Sequence, residues 1–173
     1  MDHVTISGED RRLLGLWAAD CAERALPLFE ALAPSDPHPR AAIEGIRTYA
    51  HEGRRTALLR SLAHAALAAA REVGDPAATA AARAAGYAAA TPYIHPLATV
   101  HQAKHALGPA MYAARARELA AGDDTAVGDA EIHWAIEHAP PEVHGIMRQL
   151  PVFSPGRSRL DALRHQLETA LRH

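Results

Sequence analysis

The stretch ATPYIHPLATVHQAKHALGPAMYA, residues 90–113, gathers three histidines, two tyrosines and three prolines in a chain otherwise dominated by alanine. His101 and His105 are four residues apart, so on a helix their imidazoles share a face, and Gly108 and Tyr112 continue that face. With Tyr93 and His95 just upstream, these side chains could line a small-molecule pocket. There a neutral imidazole would exchange a proton near pH 7, and a tyrosine hydroxyl would orient a carbonyl or hydroxyl group. The same rings could instead add polarity to a core, bonding to neighbouring helices and to carbonyls freed by the prolines. Val100, Leu107, Met111 and Ala114 form an apolar stripe beside the histidine face. That neighbour directs His101 and His105 toward the inter-helix core, where burial and mutual repulsion would hold their pKa values down.

A zinc reading has little to build on. The HQAKH pentad contains no acid, the chain contains no HExxH, and a catalytic zinc wants three protein ligands and an open position. His95 could supply a third ligand only if a bend at Pro96 folded it back. We therefore expect no metal and no cofactor. His133 and His138 flank Trp134 but stand five apart, so they do not share a face. His64 and His144 read as structural or solvated. Cys21 falls beside Trp17 on an apolar stripe, as a buried inert thiol would. No phosphate-cradling glycine loop and no nucleophile elbow is present in the sequence.

Charged residues concentrate in WAADCAERALPLFE and PRAAIEGIRTYA. Arg40 and Arg47 are placed to fork onto Asp20 or Glu44, locking the first helix to the second or lining a polar groove wall.

These groups must be positioned by helices. Alanine makes up roughly a quarter of the chain and aromatics only 5%, so the class is all-α. The first helix should start after Thr5 or Ser7, with Ser7 and Asp10 as a capping box, and bury Leu13, Trp17, Cys21, Ala25 and Leu28. Pro27 interrupts it, and Pro39 opens the next helix, which stops at Gly53. Leu58, Leu62, Ala66, Ala69 and Val73 define the buried face of the third, which stops at Gly74. Asp75 and Pro76 open the fourth, which breaks between Thr91 and Pro96. A fifth runs to about Ala121, with Pro109 inside and Gly122 after it. Asp124 or Thr125 caps the sixth. A short helix follows Pro140 and Pro141, and SPGRSR leads to the last. The expectation is one compact domain over residues 1–173: about seven or eight helices packed as antiparallel pairs around an alanine-rich core.

Composition also excludes function classes. With 18 basic and 20 acidic residues, the formal charge of −2 gives no basic face for nucleic acid. The uncharged run from Ala84 to Ala103 is long enough to span a bilayer, but Pro92, His95, Pro96 and His101 interrupt it, so no membrane span is expected. One cysteine and no apolar leader suit a reducing cytoplasm.

WAADCAERALPLFE, PHPRAAIEGIRTYAHEG and ATPYIHPLATVHQAKHALGPAMYAARARELAAG together resemble the immunity-five-like family of bacterial polymorphic toxin systems. The resemblance covers residues 10–122 most closely, and its most specific element is the tryptophan-to-LPLFE stretch followed by PRAAIE. It implies an all-helical cytoplasmic protein that binds and neutralises a protein partner, a toxin. It transfers no catalytic residue. Trp134, Arg148 and the arginines of the last helix are candidate interface anchors. The histidine-rich segment leaves a small-molecule ligand as the alternative, with Tyr93, His95, His101, His105 and Tyr112 as its lining.

Overall fold

The computed structural model describes residues 5–95, 100–152, 154 and 156–173, with Val100 described by its backbone alone. Among these residues the chain forms α1 (Gly8–Glu23), α2 (Leu26–Glu30), α3 (His38–Glu52), α4 (Ala57–Glu72) and α5 (Pro76–Ala90). A 3-10 turn over Thr91–Tyr93 follows, then α6 (Val100–Ala120), α7 (Thr125–Glu137), α8 (Pro141–Gln149) and α9 (Arg159–Leu171). The fold is all-α. The expected seven or eight helices become nine among the described residues, because Pro27 sits at the start of a separate five-residue helix, α2.

Local chemistry sets the helix ends. The Ser7 hydroxyl accepts the Asp10 N–H at 3.0 Å, while the Asp10 carboxylate accepts the Ser7 N–H at 2.9 Å. Ser158 and Asp161 repeat this box at α9. Thr56, Asp75 and Asp124 cap α4, α5 and α7. Gly53 and Gly74 turn the chain out of α3 and α4 at φ of 70° and 71°, where a side chain would be strained.

The buried atoms form two clusters. One is built from the alanine-rich helices α2 to α5, and α5 buries Ala78, Ala81, Ala82, Ala84, Ala85, Ala88 and Ala89 almost completely. Small side chains let the helix axes approach, so α5 packs on α2, α3, α4 and α6 together. The second cluster joins Leu107 and Met111 of α6 to Ile132, Ile146, Met147, Leu163, Leu167 and Leu171. Helix α1 serves both: Ala18, Ala19 and Ala22 face the first, while Leu14, Trp17 and Cys21 face the second. The Trp17 indole N–H donates to the buried Ala135 carbonyl at 2.9 Å, which ties α1 to α7.

Trp17, Cys21 and Ala25 of the first expected stripe and Ala66 and Ala69 of the third helix are buried as expected, but the leucine that opens each stripe is displaced by one residue. Leu14, not the half-buried Leu13, is fully enclosed. In α4 the enclosed face is Leu59, Ala63, Ala66, Ala69 and Ala70, whereas Leu58 is 66% exposed. The cause is the same in both: a leucine pair in an alanine-rich helix fits two registers, and tertiary contacts choose.

Ion pairs join α1, α2 and α3. Arg47 reaches Asp20 at 2.9 Å and Glu23 at 3.0 Å. Arg40 forks onto Glu30 at 2.6 and 2.7 Å, so Glu44 receives neither arginine. The turn between α2 and α3 brings Glu30 closer to Arg40 than the expected partners.

Candidate functional site

The segment that holds the expected site begins where α5 ends. The 3-10 turn and the residue after it present the Pro92 and Ile94 carbonyls, and Arg11 donates to them at 3.1 and 2.6 Å. Arg55 adds a donor to Pro92 at 3.3 Å. Burial, with Arg55 as a second cause, holds the Arg11 pKa below its ordinary value.

Tyr93 is fixed by this turn. Its hydroxyl donates to the Thr56 carbonyl at 2.7 Å, and the Arg60 guanidinium lies 4.5 Å from its ring centre. Arg55, Thr56, Arg60, Ser61, His64 and Tyr93 line an open groove of about 470 Å³ at the start of α4.

The other four expected residues lie elsewhere. His95 is exposed, and its backbone N–H donates to Gln102 at 2.7 Å. The bend expected at Pro96 lies outside the described residues. His101 is exposed, which corrects its expected place in the inter-helix core. His105 is half-buried with its ring 5.9 Å from Tyr87, because that side of α6 meets α5 one turn further along than at His101. Desolvation first, then His101 and Lys104, lower the His105 pKa from its ordinary value. Tyr87 in turn stacks on Tyr112 at 5.4 Å and 8°. Gly108 permits the stack, since a Cβ there would stand 3.1 Å from the Tyr87 ring.

Tyr112 borders a different groove, of about 370 Å³, with Asp75, Thr79, Arg83, Arg115 and Leu119. Burial and Tyr87 raise its pKa. His105 and Tyr112 therefore meet through Tyr87, while Tyr93 belongs to a separate surface. No group of three or more histidine, cysteine, aspartate or glutamate side chains among the described residues is placed to hold a metal. Cys21 is buried, and desolvation pushes its pKa strongly up, away from nucleophilic use.

The expected interface anchors are largely committed to the fold. Trp134 lies between the Arg24 guanidinium at 4.1 Å and the His138 ring at 4.0 Å. Arg24 forks onto Glu131 at 2.8 and 3.0 Å, and Arg117 reaches the same carboxylate at 3.3 Å. Arg159 of α9 holds Glu118, a fully enclosed carboxylate, at 2.9 Å and Asp129 at 2.8 Å. Arg115 adds a contact to Glu118 at 2.7 Å. Gly128 makes room for that carboxylate, since a Cβ would fall 1.9 Å from it. Arg172 donates to the Leu150 and Pro151 carbonyls. Arg148 remains exposed.

Sequence reasoning missed the surface around Tyr93. Its signal was the doublet Arg54–Arg55 just ahead of α4, followed by Arg60 in a helix that carries no acid before Glu72. None of the three arginines makes an ion pair among the described residues.

A family model described as "Imm-5 like putative immunity protein" matches residues 4–142. The chain belongs to this family. The match takes in α1 through α7 and the first residues of α8, so the Tyr93 groove, the histidine pair and the Glu131 cluster all lie inside the immunity-like span. Beyond it, α9 completes the second core with Leu163, Leu167 and Leu171. No curated protein and no solved structure gives a significant match. No helix among the described residues is long and apolar enough to cross a membrane.

Proposed function

We propose that this immunity-like protein acts by binding a toxin-type protein partner in the cytoplasm and blocking it. The family match carries the reading. The geometry is consistent with it in kind: the cavities beside Arg24 and Arg117 and beside Arg55 and Arg60 are open grooves bordered by arginines. A protein that works by occupying a partner needs a stable scaffold and a surface, with about 1,200–2,000 Å² buried in total between the two. The test is co-expression: the chain should restore growth to cells producing its partner toxin and co-purify with it in fixed stoichiometry. Growth arrest that persists against every toxin encoded beside it would overturn the reading.

The small-molecule alternative, with Tyr93, His95, His101, His105 and Tyr112 as one lining, has weaker support. Tyr93 and Tyr112 border separate grooves, and neither groove is bordered by His101 or His105.

A further inference from the structure

At the turn from α3 into α4 the protein concentrates positive charge that it does not neutralise. Arg54, Arg55 and Arg60 make no ion pair among the described residues, while the arginines around Glu118, Glu131 and Glu23 each hold a carboxylate. Arg11 and Arg55 even direct two guanidinium groups onto one carbonyl, that of Pro92, at 3.1 and 3.3 Å. Beside this charge stands Leu58, 66% exposed. Thr56 borders two grooves there: the 470 Å³ groove with Arg55, Arg60 and Tyr93, and one of about 310 Å³ with Tyr49, Leu58 and Leu62. Leu58 thus stands in the second groove beside Arg54 and Tyr49, and Thr56 joins it to the first groove, where Arg55 and Arg60 flank Tyr93. An uncovered leucine next to arginines and an aromatic ring has the composition of an interface centre.

We propose that the surface formed by Leu58, Arg55, Arg60 and Tyr93 is the docking site for the protein partner, and that it receives an acidic segment with an apolar side chain beside its carboxylates. The inference rests on the partner-binding reading above and adds the place and the chemistry. The two arginines offer planar donor pairs that match carboxylates, and Leu58 with the Leu62 groove takes the apolar neighbour. The Tyr93 hydroxyl already donates to Thr56, so the tyrosine holds the platform and Arg60 presents the charge. A polyphosphate fits poorly. It requires a continuous basic stripe, whereas Glu44 and Glu52 border the second groove and confine the positive field to the first. The segment's carboxylates therefore fall in the groove of Arg55 and Arg60, and only its apolar side chain enters the second.

The test places a photo-crosslinking side chain at position 58 of the full chain, with controls at the exposed positions 32 and 152, in cells that make the partner. The expected result is one protein crosslinked from position 58 and not from the controls, through a peptide rich in aspartate or glutamate. The pair Arg55→Glu and Arg60→Glu should weaken its binding about 30-fold or more while circular dichroism stays unchanged. If the pair fails to fold, Arg60→Glu alone serves, because Arg60 makes a ring contact and no hydrogen bond among the described residues; it should still weaken binding about tenfold. A partner crosslinked only from position 32 or 152, or one whose binding ignores these reversals, overturns the docking site and leaves the partner-binding reading standing. A nucleic acid crosslinked from position 58 in place of a protein overturns the proposed chemistry. No partner from any of the three positions, together with no rescue in co-expression, removes both.

Discussion

Two regions of this protein assemble arginines, and they use them in opposite ways. Between α6, α7 and α9, Arg115 and Arg159 converge on Glu118, while Arg24 and Arg117 converge on Glu131. Around the start of α4, Arg55 and Arg60 lie over the Tyr93 ring, and with Arg54 they border open grooves while making no ion pair among the described residues. In the first region the Glu118 and Glu131 carboxylates are enclosed or nearly so and each is held by two partly exposed arginines, so the pairs fix how helices sit against one another. In the second, the chain carries a like-charge cost that its own fold does not offset. Arginine composition alone does not separate the two uses; the position of the acids does.

The largest effect should come from breaking the enclosed side of this contrast. Glu118→Ala leaves Arg115 and Arg159 in place without their shared carboxylate, and should cost about 3–5 kcal/mol in urea unfolding. Gly128→Ala attacks the same site from the other helix, since its Cβ would overlap the Glu118 carboxylate; a loss of about 1–3 kcal/mol is expected. Trp17→Phe keeps most of the buried ring but leaves the Ala135 carbonyl without its donor, at about 1–3 kcal/mol. A loss near zero for Glu118→Ala would mean that the enclosed network is as dispensable as the exposed one.

A smaller effect concerns pH. The folded pKa of His105 lies below its unfolded value near 6.5, so near and below that pH the unfolded chain binds more protons than the native one. Its neutral form in the fold is favourable above pH 6.5, and that contribution is lost as the pH falls. Stability should therefore decline on acidification, and His105→Gln should flatten the decline, read as unfolding midpoints between roughly pH 7 and 5.

Much of the fold was legible because local chemistry wrote it. Ser7 with Asp10, Asp75 with Pro76, and the glycines after α3 and α4 are signals that tertiary contacts did not override. Register was not legible where leucines come in pairs: Leu13–Leu14 and Leu58–Leu59 each offer two faces, and periodicity in alanine cannot choose between them. The site was only partly legible for a related reason. The spacing of His101 and His105 promised a shared face, but α5 covers His105 and leaves His101 in solvent. The partners of Arg159 and Arg24 lie 41 and 107 residues away, so no local pattern could separate them from the unpaired arginines around the start of α4.

The central claim is that Arg55 and Arg60, around the start of α4, serve a surface and not the fold. Its most direct test is the unfolding free energy of the double variant Arg55→Ala, Arg60→Ala, measured beside Glu118→Ala in the same buffer. The account predicts a loss of about 1 kcal/mol or less for the double variant, the scale of an exposed ring contact and a shared carbonyl bond. A loss of about 3 kcal/mol or more, matching Glu118→Ala, would contradict it and make these arginines part of the scaffold.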